Sequence, residues 1–357
     1  MNDILVIGGG QSGLAAAHAA RAHGLTTTVL EAGLEPVGAW PRYYDSLTLF
    51  SPAGYSGAPG VPFPGDPEHY PTRDAVVEHL RDRAARVDAD IRVRTRVTTV
   101  EAEDGGGFVA HTDGVGSHRA RGVVAASGSF GNPVVPDLPG RHHFAGRTAH
   151  VADYRTPEPF AGQRVVVVGG GNSAVQVGVE LAEVAEVTLA SRAPLRFLPQ
   201  RHGGRDLHYW LDHTGFDRLP PEWLAPLVPG TLVLDTGAYR AAIESGHPRR
   251  RPMFTAFTDD GVVWPDGTHE RVDTVLFATG YRPDLAYLEP LGALADGLPR
   301  HTGGLSTTHP GLAYVGLEFQ RTFASNTLRG VHRDAEYVLA ALAAHVRDAG
   351  ALVASGA

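Results

Sequence analysis

The chain has 357 residues, 43% apolar and 20% charged, which is room for two globular domains with sizeable cores. Its net charge of −8 argues against general affinity for nucleic acid or for an anionic membrane surface. Cysteine and lysine are both absent, so all 31 basic residues are arginine; this excludes disulfides, thiolate metal sites, dithiol redox chemistry and lysine Schiff bases.

In chain order, Ile4 to Ile7 predicts a strand rather than a signal segment, and no apolar run approaches the roughly 20 residues of a membrane span. A cytoplasmic protein is expected. The strand leads into Gly8, Gly10 and Gly13, a G-x-G-x-x-G turn that opens an alanine-rich helix. The first glycine permits the tight turn, the second lets backbone approach a pyrophosphate, and the third lets helix pack on strand. Glu31 closes the next strand, where a carboxylate accepts from ribose hydroxyls and repels a 2′-phosphate. Residues 33–71 are loop-rich, and a helix is predicted from Arg73 to about Val87 with Thr72 as its cap. "IRVRTRVTTVEAE" and "FVAHT" flank "DGGG" as a meander. "VVAASG" (123–128) then ends a strand in small residues.

The unit repeats. "VVVVGGGNSAVQVGVELAEVAEVTLASRA" (165–193) matches residues 4–32, with Gly169, Gly171 and Ala174 in the turn, and "VLFATG" (275–280) echoes the later strand. Two copies at this spacing mean two βαβ nucleotide-binding units, not a solenoid. Where the first unit has Glu31, the second has Ser191 and Arg192, and arginine pairs with a 2′-phosphate. One unit for FAD and one for NADPH makes a flavoprotein. The expected fold is α/β, with two Rossmann-like dinucleotide-binding domains. The FAD domain spans 1–157 plus 274–357, and the NADPH domain, 158–273, is inserted into it. Residues 195–260, rich in proline, glycine and aromatics, would cover a site, with "HYW" (208–210) facing a pocket or merely surface. "PRRRP" (248–252) reads as a solvated loop that could also meet the NADPH phosphates. A last helix is expected from near Asn326, burying Leu328, Val331, Ala335, Val338, Leu342 and Val346. His142, His143 and His150 lack metal-ligand spacing, so no metal is expected.

Between the two units, Phe144, Gly146, His150 and Tyr154 spell F-x-G-x-x-x-H-x-x-x-Y. This resembles the identifying motif of the flavin-containing (class B) monooxygenases. "GAW" (38–40), "GGGNSA" (169–174) and "ATGYRPD" (278–284) resemble further motifs of that family. Tyr154-Arg155 is more similar to the branch that oxidises nitrogen and sulfur than to the Baeyer–Villiger branch. The nearest resemblance is to small bacterial monooxygenases often encoded with arsenic-resistance genes; the plant enzymes of auxin synthesis are more distant.

The resemblance implies an NADPH- and O₂-dependent monooxygenase. Reduced FAD would form a C4a-(hydro)peroxide and pass one oxygen atom to a small nitrogen, sulfur or organoarsenical substrate. It implies FAD contacts at Gly8, Gly10, Gln11, Ser12, Gly13, Glu31, Ala39, Trp40, Val97, Ser127, Gly128, Gln320, Asn326 and Leu328. It implies NADPH contacts at Gly169, Gly171, Asn172, Ser173, Ser191, Arg192, Thr279, Gly280 and Tyr281. Members commonly place an asparagine beside the flavin edge where this chain has Phe50, followed by Ser51; Phe50, Ser51, Asn326 and Thr327 are therefore the residues expected near the flavin. Trp40 would line the cleft or pack in the core, and Tyr43, Tyr44 and Tyr55 would shape the pocket or cover the surface. His150 would be a hydrogen-bonding hinge, with Phe144 and Tyr154 pinning the crossover between domains. Two other readings remain open at this stage: an NADPH-dependent flavin reductase serving a protein or quinone, and a flavin redox sensor without turnover. A homodimer is compatible with the sequence.

Overall fold

A computed structural model describes residues 2–114, 116–224 and 232–355. Two parallel sheets organise the chain. In the first, β1 (Asn2–Ile7) lies between β2 (Thr27–Leu30) and β6 (Ser117–Ala125). β3 (Asp90–Arg92) extends the sheet beyond β2, and the strand Leu312–Tyr314 extends it beyond β6. β4 (Val97–Ala102) and β5 (Phe108–Thr112) form the expected meander, antiparallel on the first half of β6. Ile4, Leu5 and Val6 have no solvent exposure, as a central parallel strand requires. Helix α1 (Gln11–Ala22) packs on one face with the C-terminal helix Val331–Ser355. Helix α2 (Arg73–Arg86) is capped by the Thr72 hydroxyl, which accepts from the Ala75 N–H.

The second sheet runs Arg249–Pro252, β9 (Glu186–Ser191), β8 (Arg164–Val168), Thr274–Phe277 and β7 (Arg147–His150), all parallel. Helix α3 (Asn172–Leu181) covers one face. A three-stranded meander, Ala256–Phe257, Gly261–Val263 and His269–Arg271, covers the other around Phe254, Phe257 and Trp264. Helix α4 (Leu207–His213) lies in the covering region.

Three expectations are corrected. "PRRRP" is not a loop: Arg249–Pro252 is the edge strand beside β9, with its arginines alternating between faces. The last helix begins at Val331; residues 324–330 are turns, closed by hydrogen bonds from Thr327 N–H to Ala324 O and from Gly330 N–H to Thr327 O. The domain crossovers are displaced, because β7 and Thr274–Phe277 both belong to the second sheet although they were expected in the first domain. The two linkers cross side by side instead. Val134 N–H donates to Gly280 O, Arg282 N–H to Asn132 O, and Asp284 N–H to Gly128 O. Among the described residues no helix is long and apolar enough to cross a membrane.

Candidate functional site

Both glycine turns lie at the carboxyl ends of their sheets, where parallel sheets bind ligands. Gly8 has φ +105°, and a Cβ there would stand 2.5 Å from Ala126 O. A Cβ on Gly13 would stand 1.8 Å from Gly8 O, so only glycine lets α1 come this close to the strand end. Gly10 begins α1 with no side-chain cap and no acid in the first turn. The first N–H groups therefore have no side-chain acceptor, and the helix end presents donors and positive potential. That arrangement fits a pyrophosphate. Glu31, 7% exposed, accepts 2.6 Å bonds from the N–H groups of Gly9 and Gly33, one on each carboxylate oxygen. Each oxygen keeps a lone pair for a ribose hydroxyl. Thr95 N–H donates to Glu31 O, which brings Val97 to the same rim. Ser12 is buried against Gly316, where any Cβ would stand 2.1 Å from its hydroxyl oxygen.

The second turn repeats this construction. Gly169 has φ +155°, and a Cβ would stand 2.5 Å from Ala278 O. Gly171 opens α3 with no side-chain cap and no acid. The strand-end group differs. Arg192 is exposed at the end of β9 and has no partner among the described residues. Arg250 reaches the Ser191 hydroxyl at 3.3 Å, while Ser191 donates to Ala193 O. Arg249 and Arg251 pair with Glu270 and Asp266 on the other face of the strand. Two guanidinium groups without a carboxylate thus flank Ser191, which suits an adenosine 2′-phosphate. Asn172 instead accepts from Leu234 N–H, and Thr279 donates to Val134 O; Ser173 is half-buried and Gly280 has φ +83°.

A run of rings joins the two turns. Trp40 donates to Gln11 at 2.6 Å, and Gln11 donates to Asn326 O at 3.0 Å. Trp40 contacts Tyr43 at 5.5 Å, Tyr43 contacts Phe130 at 4.6 Å, and Phe130 stacks on Tyr281 at 5.4 Å. Tyr281 meets His150 edge-on at 5.0 Å. Trp40 is half-buried, with Ala39 as the residue that opens its short helical turn. The F-x-G-x-x-x-H-x-x-x-Y segment pins this run to the second domain. Phe144 packs on Phe257 at 5.2 Å, and Gly146 leaves room for the Phe144 ring, which a Cβ would meet at 2.3 Å. His150 accepts from Ala152 N–H through Nδ1, and burial holds its pKa below the usual imidazole value. Tyr154 donates to Glu180 on α3 at 2.7 Å. Arg155 donates to the carbonyls of Tyr43 and Pro41, tying the flavin-side loop to the same segment. Tyr44, 4% exposed, bonds Gln176 on α3 and is no surface cover.

Phe50 and Ser51 do not behave alike. The Phe50 ring is 41% exposed and stacks on His208 at 6.0 Å. Ser51 is buried, and its hydroxyl meets the Ser56 hydroxyl at 2.9 Å, inside its own loop. Gln200 donates to Phe50 O at 2.7 Å and to Asp206 at 2.8 Å. Asp206 also accepts from Tyr70 at 2.6 Å and from His208 Nδ1 at 2.7 Å. Burial alone would raise the Asp206 pKa; the bonds from His208, Tyr70 and Gln200 outweigh it and hold the carboxyl at about 2. Beside this hub lies a cavity of about 410 Å³, lined by Tyr55, Phe63, Asp212, Asp217, Arg329 and Arg333. Arg329 grips Asp217 with two bonds, of 2.7 and 2.8 Å.

Of the other expected residues, Leu328 is buried in the cluster beneath the flavin-side loop, and Thr327 donates to Ala324 O. Ser127 donates to Asp284 O, Gly128 accepts from Asp284 N–H, and the Gln320 amide bonds Tyr314 O and Leu317 N–H. The sequence reading missed Tyr70, Phe130, Gln200, Asp206, Asp217 and Arg329. One local signal was present: an aspartate just before "LHYWLDH" caps that helix and so falls beside the histidine two positions on.

Two such dinucleotide turns, joined by this run of rings, fit a flavin- and pyridine-nucleotide-dependent oxidoreductase. Residues 5–219 match the family profile described as pyridine nucleotide-disulphide oxidoreductase. The chain is 33% identical to indole-3-pyruvate monooxygenase YUCCA1 of Oryza sativa subsp. japonica, over 81% of this chain and 79% of the relative. It is 28% identical to the CzcO-like oxidoreductase of Geobacillus kaustophilus, over 94% of this chain and 97% of the relative. The solved flavin-containing monooxygenase of Stenotrophomonas maltophilia superposes with a TM-score of 0.84 at 32% identity, covering 96% of this chain and 98% of that one. The chain belongs to the flavin-containing monooxygenase family. It is an FAD-dependent NADPH monooxygenase acting with O₂ on a small molecule.

Proposed function

We propose that the enzyme places one oxygen atom of O₂ on a small soft nucleophile, an amine nitrogen, a sulfur or an organoarsenical. In this reading it sits in the branch of small bacterial monooxygenases encoded with arsenic-resistance genes. The observation that carries the proposal is the unbroken run of contacts from Gln11 at the first glycine turn through Trp40, Tyr43, Phe130 and Tyr281 to His150 in the second sheet. Such a run of rings offers no thiol as an electron acceptor.

FAD binds the first turn in this reading, through the α1 N–H groups, Glu31 and the Gln11–Trp40–Asn326 group. NADPH binds the second, with Arg192 and Arg250 on its 2′-phosphate. FAD supplies the hydride and oxygen chemistry; the chain's own residues bind, orient and keep the cleft dry. Phe50 carries no hydrogen-bond donor and Ser51 is turned into its loop, so any donor at the flavin edge comes from elsewhere. The test is to reduce the enzyme anaerobically with NADPH, admit O₂ with a thioether probe, and count product. Sulfoxide formed in proportion to NADPH supports the reading. Recovery of every electron as hydrogen peroxide, or fast transfer to ferredoxin, overturns it.

A further inference from the structure

Enclosed polar atoms without a partner are not spread evenly through the molecule. Among the described residues there are seven on side chains, and five of them gather on α2 and the first turn of the last helix: His79 Nε2, Arg83 Nη1, His332 Nδ1, Arg333 Nη1 and Asp334 Oδ2. Arg83 is 7% exposed, and burial alone pushes its pKa down to about 10. A guanidinium this deep is ordinarily paired, because an uncompensated charge is costly to desolvate. Burial, with Arg333 and Arg83 close by, pushes the His332 pKa down to about 4, so both guanidinium groups share one neighbourhood. That neighbourhood backs the cavity of about 410 Å³. Arg333 lines the cavity, and so does Phe63, whose ring stacks on His79 at 4.6 Å.

The charges around the cavity do not cancel. Arg329 holds Asp217 with two bonds, and Arg218 pairs with Asp212 at 3.3 Å. Arg321 pairs with the buried Asp334 at 3.4 Å. Arg333 makes no side-chain hydrogen bond or ion pair among the described residues. One positive charge is therefore left over in the lining. The last helix opens at Val331, between Arg329 and Arg333, so its positive end adds to theirs. Ala53, Ala58, Pro62 and Phe63 supply an apolar wall. The lining shares no residue with the run from Trp40 to Tyr281.

We propose that this cavity is a second ligand site, apart from the two dinucleotide turns, and that it takes a small monocarboxylate with an apolar body. The carboxylate accepts from Arg333 and supplies the acceptor that the fold does not. The body lies against the apolar wall. One uncompensated charge suits a monoanion better than a phosphate dianion. The lining comes from the loop before α2, from Asp212 and Asp217 of the covering region and from the start of the last helix, so an occupant bridges segments far apart in sequence.

Benzoate and benzyl alcohol share a ring and differ in charge, which makes them the probes. Titration calorimetry on the FAD-loaded full chain is expected to show benzoate binding about tenfold more tightly than benzyl alcohol, or better, as a charge-assisted pair predicts. Arg333→Gln should weaken benzoate by about tenfold and leave benzyl alcohol within about threefold. If that variant fails to load flavin, Ala58→Phe, which fills the cavity from the loop side, must abolish benzoate binding. Equal affinity for the two probes overturns the proposal, as does displacement of benzoate by a lower concentration of inorganic phosphate. Benzoate that shifts the flavin absorbance and still binds Arg333→Gln as tightly sits at the flavin, and that also overturns it. None of these readouts depends on oxygen transfer, so the outcome is separable from that of the reading above.

Discussion

The two glycine turns repeat each other bond for bond and part company at their edges. Gly8 N–H donates to Leu30 O as Gly169 N–H donates to Ala190 O; Ala126 N–H donates to Ile7 O as Ala278 N–H donates to Val168 O. The hypothetical Cβ of each first glycine meets the same atom of the echo strand at the same 2.5 Å. What differs is small: Gly13 against Ala174, and buried Glu31 against exposed Arg192 flanked by Arg250. A shared backbone therefore provides generic phosphate binding, and one strand-end side chain decides which ribose it accepts.

Gly13→Ala tests the closeness of the first turn and should have the largest effect. Its Cβ would stand 1.8 Å from a backbone oxygen, so the loop must open. Purified protein should lose its flavin absorbance; full occupancy would show that the turn has slack. Arg192→Ala and Arg250→Ala address the strand-end difference. Each should lower kcat/KM for NADPH about 10- to 100-fold and spare NADH, as loss of a charge-assisted bond predicts. An unchanged cofactor ratio in both would assign the phosphate elsewhere.

Asp206 joins the two halves, and acid tests that join. Its folded pKa, about 2, lies below the ordinary 3.8, so its contribution is present above 3.8 and is lost as pH falls through 2. The stability gap between wild type and Asp206→Asn should shrink over that window by no more than about 2 kcal/mol, allowing for screening. A gap that widens with acid contradicts the assignment. Ala174→Gly should be mildest, at about 1 kcal/mol in thermal unfolding, the ordinary cost of glycine in a helix. A much larger loss would mean that the second turn depends on the Ala174 methyl.

The turns, the repeat, α2 with its cap and the buried face of the last helix were legible because each rests on local sterics or on periodicity within one segment. Arg249–Pro252 was not, since three arginines read as solvated; two of them are held by Glu270 and Asp266, partners distant in sequence. The stretch from Asn326 was read as helix, but turn bonds from Thr327 N–H to Ala324 O and from Gly330 N–H to Thr327 O occupy it, and the helix begins at Val331. The Asp206 hub was illegible for a related reason. Tyr70, Gln200 and Phe50 come from separate segments that meet only when the two domains close on each other.

The paired linkers decide where this molecule can be cut. Excising residues 158–273 would take only three of the second sheet's five strands and leave β7 and Thr274–Phe277 hanging from the donor. The portable module runs instead from about Val134 to Gly280, where both linkers pass one another within hydrogen-bonding distance. Its ends thus lie beside each other in space, so a coenzyme domain of different specificity can be spliced in, or new termini opened, at a single seam.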